Sequence, residues 1–234
     1  MATEKEIQQA YVKALKTSSC CSNEQIIDGI LLPTEAQKQD ISFGCVRLDE
    51  ILKQKLKPTD VIVDFGSGPG HDLIEAAKIV KQGKAIGVDF TPEMHEEVRN
   101  KAKQLNLNNI ELILSNIEKV DLPDDIADVI ISNCVINLAN NKSNVLREAF
   151  RLLKKGGRLI NADVITKRPL MEEIKKDVEK WCSCISGAIT QEEYEEILKD
   201  EGFSEVKIEM GDKIDVTWEK TEYGVFSALI WAKK

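Results

Sequence analysis

The chain has 234 residues, a formal net charge of −8 and a pI of about 5.1. Its lysines and arginines are dispersed, which argues against nucleic acid as a substrate, because a phosphate backbone requires a concentrated basic surface. The polar N-terminus and the lack of a long apolar run predict no signal peptide and no interaction with a membrane, so a cytoplasmic location is expected.

The predicted elements begin with an amphipathic helix over residues 4–17, followed by a helical stretch over residues 46–57 before Pro58. Strands and helices then alternate. Strands are predicted at 61–64, 85–89, 110–114, 127–132 and 158–164. Helices are predicted up to residue 80, over 92–105 and over 143–154, with Gly156 and Gly157 ending the last one.

The C-terminal part has a different pattern. A helical stretch is predicted at 170–181 and a helix at 191–200, where Thr190 and Glu193 have the spacing of a capping box. Strands near 206–210 and 223–232 are expected to form an antiparallel edge. The order predicts an α/β fold: a Rossmann-like, doubly wound, mostly parallel sheet of seven strands, with an N-terminal helical and loop segment and a C-terminal α+β elaboration. The expected divisions are 1–57, a cofactor-binding core at 58–165, and 166–234.

A glycine loop follows the first strand of the core. Asp64, Gly66, Gly68 and Gly70 alternate along it, and Asp89 ends the next strand 19 residues beyond Gly70. Glycines permit a tight turn and a close approach to a ligand, and a carboxylate at the end of the second strand can accept hydrogen bonds from ribose hydroxyls. The pattern predicts a nucleotide site.

The glycine spacing argues against a dinucleotide. His71 occupies the region where a dinucleotide fingerprint has its third small residue, and Asp64 adds negative charge where a pyrophosphate would lie. The loop resembles instead the first motif of class I S-adenosylmethionine methyltransferases, whose ligand is a sulfonium cation.

The six cysteines are expected to be mostly reduced, and therefore to be ligands, redox groups or core residues. Cys134 directly follows the fourth strand, where ligands of an open α/β sheet bind, although a buried apolar role is the plainer interpretation of this residue alone. Several thiols near a methyl donor suggest a soft, thiophilic substrate. Zinc is disfavoured because no Cys-x-x-Cys motif is present.

The longer motifs resemble the arsenite S-adenosylmethionine methyltransferase family over nearly the whole chain. They are Ser18-Ser-Cys-Cys21, Ser42-Phe-Gly-Cys45, the loop from Asp64 to Asp72, Gly87-Val-Asp-Phe-Thr-Pro-Glu-Met94, Ile130-Ile-Ser-Asn-Cys-Val-Ile-Asn-Leu138, Trp181-Cys-Ser-Cys184-Ile-Ser-Gly-Ala188 and Glu192-Glu-Tyr-Glu-Glu-Ile-Leu198. The run around Cys134 and the run around Cys184 are the most diagnostic.

This resemblance implies a methyl transfer from S-adenosylmethionine to As(III), with Sb(III) as another possible substrate. Cys45, Cys134 and Cys184 would be the catalytic thiolates that hold As(III), with Cys20 or Cys21 as an accessory thiol. Cys182 would be an additional cysteine, because Cys184 has the family's spacing from Trp181. A thiol reductant, thioredoxin or glutathione, is the implied cosubstrate.

The predicted cofactor-binding residues come from the glycine loop and the resemblance together. They are Asp64, Gly66, Gly68, Gly70, Asp89, Phe90, Asn116, Ile117 and Asn133. Two departures from the family pattern stand out: Val46-Arg-Leu48 follows Cys45, and Asn116 replaces an acidic residue. Two other functions remain open, namely methylation of another small molecule and thiol-based metalloid binding without turnover.

Overall fold

The computed structural model describes residues 3–17, 46–175, 184–214, 217–218 and 221–234. Its helices are α1 (Glu4–Thr17), α2 (Asp49–Lys55), α3 (His71–Ile79), α4 (Pro92–Gln104), α5 (Lys142–Leu152), α6 (Glu172–Lys175) and α7 (Gln191–Asp200), and a 3-10 turn spans Ile136–Leu138. Its strands are β1 (Val61–Phe65), β2 (Lys84–Asp89), β3 (Ile110–Leu114), β4 (Ala127–Asn133), β5 (Leu153–Thr166), β6 (Ile189–Thr190), β7 (Ser204–Ile214), β8 (Thr217–Trp218), β9 (Thr221–Glu222) and β10 (Val225–Lys233).

The central sheet has the order β3-β2-β1-β4-β5-β10-β7, and the short β6 pairs with β5. Strands β1 to β5 are mutually parallel, and β10 is antiparallel to both β5 and β7. The predicted fold class and its antiparallel edge are therefore confirmed, with β6 as an eighth strand of the sheet among the described residues. Strands β8 and β9 form a separate pair.

Helices cover both faces of the parallel part of the sheet. Val63 and Phe65 of β1 belong to one buried cluster, which also contains residues of α5 and α7. Ile62 belongs to the other cluster, with residues of α2, α3 and α4. Because successive side chains of a strand point to opposite faces, a strand covered on both sides has a continuous apolar run. This is the pattern from which β1 and β4 were predicted.

The prediction that Gly156 and Gly157 end a helix is wrong. Helix α5 ends at Leu152, and β5 begins at Leu153, which pairs with Ala127 of β4. The two glycines lie inside β5, next to an irregularity in its pairing with β4, and the Gly156 N–H donates to the Lys234 carbonyl at 2.8 Å. Pairing partners distant in sequence thus make the strand longer than its local pattern indicates.

The other helix predictions differ at their ends. The stretch predicted at 46–57 forms the shorter helix α2, and α1 has the predicted bounds. Of the stretch predicted at 170–181, residues 172–175 form α6, and its remainder from 176 lies outside the described residues.

The capping box at α7 is confirmed. The Glu193 N–H donates to Thr190 Oγ1 at 3.2 Å, and the Thr190 N–H donates to Glu193 Oε2 at 2.9 Å. Replacing Thr190 by alanine removes the side-chain acceptor. Thr190→Ala is expected to lower the free energy of unfolding by about 1 kcal/mol relative to Thr190→Ser, which keeps the hydroxyl. Chemical denaturation of both variants measures the difference, and equal stability would show that the cap contributes nothing.

Candidate functional site

An open cleft lies at the carboxyl ends of β1, β2 and β4. This is the edge at which open α/β sheets bind their ligands. Eight of the nine predicted cofactor-binding residues line it: Asp64, Gly66, Gly68, Asp89, Phe90, Asn116, Ile117 and Asn133. Sequence and structure therefore agree on the position of the cleft.

The glycine loop forms the floor of the cleft. Gly66 has a φ of 68°, and a Cβ on it would lie 2.4 Å from the Val135 side chain, so only glycine fits there. The Gly68 N–H donates to Asp89 Oδ2 at 3.0 Å, which joins the loop to the end of β2. Gly70 is not among the residues that line the cleft. It precedes α3 with a φ of 87°, and a Cβ there would lie 2.6 Å from Val98, so glycine lets α3 and α4 pack closely here. Its part in cofactor binding stays a prediction.

Asp89 is oriented at the end of β2. Its Oδ1 accepts from the Thr91 N–H at 2.8 Å, and its Oδ2 accepts from Gly68. Each carboxylate oxygen has two lone pairs, so both oxygens can still accept a hydrogen bond from a ligand hydroxyl. The glycine floor and this oriented carboxylate fit the ribose of an adenosyl cofactor.

The cleft is strongly acidic. Among the described residues that line it are five acidic ones and neither lysine nor arginine; the acids are Glu4, Asp64, Asp72, Asp89 and Glu118. Burial, with repulsion from Asp72 and Asp89, raises the pKa of Asp64 well above its ordinary value. Burial also raises the pKa of Asp72 and of Asp89. A cationic ligand would relieve this repulsion.

Helix α1 forms one wall of the cleft, a contact that the sequence did not predict. Ile7 and Tyr11 line the cleft, together with Glu4, whose Oε1 accepts from Asn116 Nδ2 at 2.5 Å. Gln8 Nε2 donates to the Phe90 carbonyl at 3.4 Å. The apolar face of α1 was visible in its helical spacing, but the spacing cannot identify the surface on which the helix packs.

Two predicted thiol residues lie together beside the cleft. The ligand atoms of Cys134, Cys184 and Asp163 all lie within 4.8 Å of one another, and all three residues are buried. The Cys184 S–H donates to the Cys134 carbonyl at 2.9 Å. Cys134 also lines the cofactor cleft, so the thiol pair is continuous with it. The other predicted thiols, Cys20, Cys21 and Cys45, lie outside the described residues.

Cys134 is disulfide-bonded in this structure. The sulfur of Cys184 is a thiol. The expectation that most of the six cysteines are reduced stays a prediction, since only Cys134 and Cys184 lie within the described residues. A disulfide sulfur is not a ligand for a thiophilic ion, because the thiolate is the binding species.

Asn137 and Asp163 support the thiol pair and were not predicted as site residues. The Asn137 N–H donates to Asp163 Oδ2 at 3.1 Å, and Asn137 Nδ2 donates to the Val164 carbonyl at 2.7 Å and to the Cys184 carbonyl at 3.4 Å. A Cβ on Gly187 would lie 1.8 Å from the Asn137 carbonyl oxygen. Asn137 and Gly187 both belong to the diagnostic motifs, which was the available signal for them.

A second cluster adjoins the cleft at the start of α3. Ligand atoms of Asp49, His71 and Asp72 lie within 4.8 Å of one another. Asp49 is already paired with the Arg47 guanidinium at 2.7 Å and with His71 Nε2 at 3.1 Å. The arrangement is therefore an ion-pair network, and the positive charge of Arg47 opposes the binding of a metal cation.

Burial raises the pKa of Asp163 from 3.8 to about 7, although hydrogen bonds from the Val164 and Asn137 N–H groups and the charge of Lys142 act in the opposite direction. A carboxyl group whose pKa is raised on folding stabilises the fold at low pH, and this contribution is lost as pH rises through the folded pKa. The unfolding free energy of the wild type should therefore fall relative to that of Asp163→Asn between about pH 4 and 7, by up to about 4 kcal/mol.

Asp128→Asn is the control for this pH dependence. Burial alone would raise the Asp128 pKa, but hydrogen bonds from Lys154 Nζ and the Val61 N–H lower it overall. The stabilising contribution of the Asp128 carboxylate is present at neutral pH and is lost as pH falls. The difference in unfolding free energy between the wild type and Asp128→Asn should therefore change with pH in the opposite direction. Urea denaturation at a series of pH values measures both. A pH-independent difference for Asp163→Asn would contradict the raised pKa.

No helix in the described parts of the chain combines the length and the apolar character needed to cross a membrane.

The chain matches known proteins over most of its length. A family model described as a methyltransferase domain matches residues 56–202. A protein of Halobacterium salinarum named arsenite methyltransferase is 32% identical over 203 residues, which are 83% of this chain and 51% of that protein. One of the same name from Aquipseudomonas alcaligenes is 30% identical over 214 residues, 87% of this chain and 61% of that protein. The chain thus spans about half to three-fifths of these relatives.

Solved structures share the fold. An arsenic (III) S-adenosylmethionine methyltransferase from Chlamydomonas reinhardtii superimposes with a TM-score of 0.69 and 24% identity, covering 99% of this chain and 74% of the other. A phosphoethanolamine N-methyltransferase from Haemonchus contortus, in complex with S-adenosyl-L-methionine, has a TM-score of 0.65 and 16% identity, and the match covers 79% and 51% of the two chains. The resemblance noted in the motifs is confirmed by relatives that carry that name, and the chain belongs to the methyltransferase domain family.

Proposed function

We propose that the protein is an S-adenosylmethionine-dependent methyltransferase that methylates thiolate-bound As(III). The observation that carries this proposal is the position of Cys134. Cys134 lines the cofactor cleft, and its sulfur lies within 4.8 Å of the Cys184 sulfur. A thiophilic substrate held by these two sulfurs would lie directly beside the cleft. The names of the relatives from Halobacterium and Aquipseudomonas support the same substrate.

The cofactor part of the proposal rests on the cleft. The Gly66–Gly68 floor and the oriented Asp89 carboxylate fit a ribose, and the acidic wall fits a ligand with positive charge. When bound, S-adenosylmethionine supplies an electrophilic methyl group. The residues of the chain bind and orient it and, with α1 as a wall, limit the access of water.

The arsenic part rests on the thiols. As(III) is soft and retains a lone pair, so thiolates can hold it while the lone pair acts as the nucleophile. Arsenite loses one hydroxide for each thiolate bound, and each departing hydroxide takes up the thiol proton to give water. Cys134 and Cys184 are two ligands in this proposal, Cys45 is the third, and Cys20 or Cys21 is accessory. The assignments of Cys45, Cys20 and Cys21 rest on the sequence motifs.

The proposed methyl transfer depends on positioning and does not require acid–base chemistry at the nucleophile. Cys134 and Cys184 share a buried apolar cluster with Leu138, Ile174 and Tyr223. A nucleophilic lone pair needs no general base. Holding the two reactants in the productive geometry can contribute about 7 to 11 kcal/mol to a rate enhancement.

A thiol reductant is the cosubstrate in this proposal, with thioredoxin or glutathione as candidates. Cys134 is disulfide-bonded, and that bond has to be reduced before the sulfur can bind arsenic. Methylation by the lone pair also leaves arsenic formally pentavalent, so a further round requires two electrons. Both needs are met by a dithiol or by two monothiols.

The test measures S-adenosylhomocysteine formed by the purified protein with S-adenosylmethionine and a thiol, with and without arsenite. Arsenite-dependent turnover is expected in the wild type. Cys134→Ser and Cys184→Ser should each lower it by at least about a hundredfold, because a hydroxyl is a poor ligand for a soft ion. Antimonite replaces arsenite in a parallel series to test Sb(III).

Cys182→Ser is the matched control, since it removes a thiol two residues from Cys184 and should keep turnover. Arsenite-independent formation of S-adenosylhomocysteine, or equal activity of all three variants, would indicate another methyl acceptor. Binding of arsenite by Cys134 and Cys184 without product would indicate a metalloid-binding protein.

A further inference from the structure

Within the described parts of the chain, one carboxylate oxygen of Asp72 lacks a hydrogen-bond partner. The residue is 8% exposed and lines the cleft. Its Oδ2 accepts from Asn133 Nδ2 at 2.9 Å, whereas its Oδ1 is buried without a partner among the described residues. A buried carboxylate oxygen that is left unpaired destabilises the fold, so such an atom points to a ligand that pairs with it.

The surrounding structure fixes this carboxylate in place. Asn133 ends β4 and donates through the same Nδ2 to the Val46 carbonyl at 2.7 Å, so its amide cannot turn away from Asp72. Asp72 is the second residue of α3, where the positive end of the helix dipole favours a negative charge. The orientation of Asp72 is thus set before any ligand binds.

The chemistry of the cleft specifies the missing partner. The described lining of the cleft contains five acidic residues and neither lysine nor arginine. The group that pairs with Asp72 Oδ1 is therefore expected to be a cationic hydrogen-bond donor on the ligand. S-adenosylmethionine has two cationic groups, and only its α-ammonium has N–H donors. The sulfonium has none. A metal cation is disfavoured by Arg47, which already pairs with the neighbouring Asp49.

We propose that Asp72, oriented by Asn133, binds the α-ammonium group of S-adenosylmethionine through its Oδ1. This inference rests on the cofactor assigned in the proposed function, but not on the arsenic site. It adds a specific contact for the amino-acid end of the cofactor, beside the ribose contact expected of Asp89. Adenosyl ligands that lack the amino group should therefore bind poorly.

The test compares two ligands by isothermal titration calorimetry, without arsenite or thiol. One is S-adenosylhomocysteine, and the other is its deaminated analogue, which has hydrogen in place of the α-ammonium. The wild type should bind S-adenosylhomocysteine at least about tenfold more tightly than the analogue, because hydrogen bonds to charged groups are strong. In Asp72→Asn this ratio should fall close to one, chiefly through weaker binding of S-adenosylhomocysteine.

Asp89→Asn is the matched control. It should weaken both ligands by a similar factor and keep their ratio, because the ribose is common to both. Circular dichroism checks the fold of each variant, and Asp72→Ser replaces Asp72→Asn if the latter is unfolded. Equal affinities of the wild type for the two ligands would overturn the proposal without any variant.

A ratio that survives in Asp72→Asn and collapses in Asp64→Asn would also overturn it, since the ammonium would then bind the other buried carboxylate. Failure of the wild type to bind S-adenosylhomocysteine at all would refute the cofactor assignment itself. Loss of arsenite methylation alone would leave this inference standing, because calorimetry involves no arsenic.

Discussion

The parallel pairing of β1 with β4 is the constraint on which both halves of the site depend. Phe65 pairs with Ser132, so the glycine loop and the turn that follows Asn133 leave the sheet side by side. The two turns are in direct contact, because the space that a Cβ of Gly66 would need is filled by Val135. The cofactor floor and the Cys134 sulfur are therefore parts of one packed unit, and a change in one turn displaces the other.

The acidic cleft carries an electrostatic cost that its proposed ligand would offset. Asp64, Asp72 and Asp89 are buried near one another, and burial raises the pKa of each. Hydrogen bonds from Gly68, Thr91 and Asn133 only partly compensate. A cation bound between these carboxylates favours their ionised forms, so cofactor binding is expected to relieve their mutual repulsion and to stabilise the fold.

The features that were predicted correctly are those that depend on the local pattern of the sequence. Continuous β-branched runs identified the buried strands, and the spacing of Thr190 and Glu193 identified the start of α7. The prediction was wrong where contacts with residues distant in sequence determine the secondary structure. Gly156 and Gly157 belong to a strand because Ala127 and the C-terminal residue pair with that segment. For the same reason the α1 wall, the Asn137–Asp163 contact and the unpaired oxygen of Asp72 were not predicted, since each depends on which surfaces meet in the folded chain.

The two described thiol residues share an unusual backbone. Cys134 has a φ of 58° and Cys184 a φ of 64°, a left-handed conformation that costs a residue with a side chain about 1 to 2 kcal/mol. Hydrogen bonds hold both: the Cys134 N–H donates to the Ala162 carbonyl at 2.8 Å, and Asn137 binds the Cys184 carbonyl. Such conformations persist where the surroundings fix them, and they cluster at functional sites. The fold thus maintains strain at the two residues whose sulfurs it brings together, as expected if they form the proposed arsenic site.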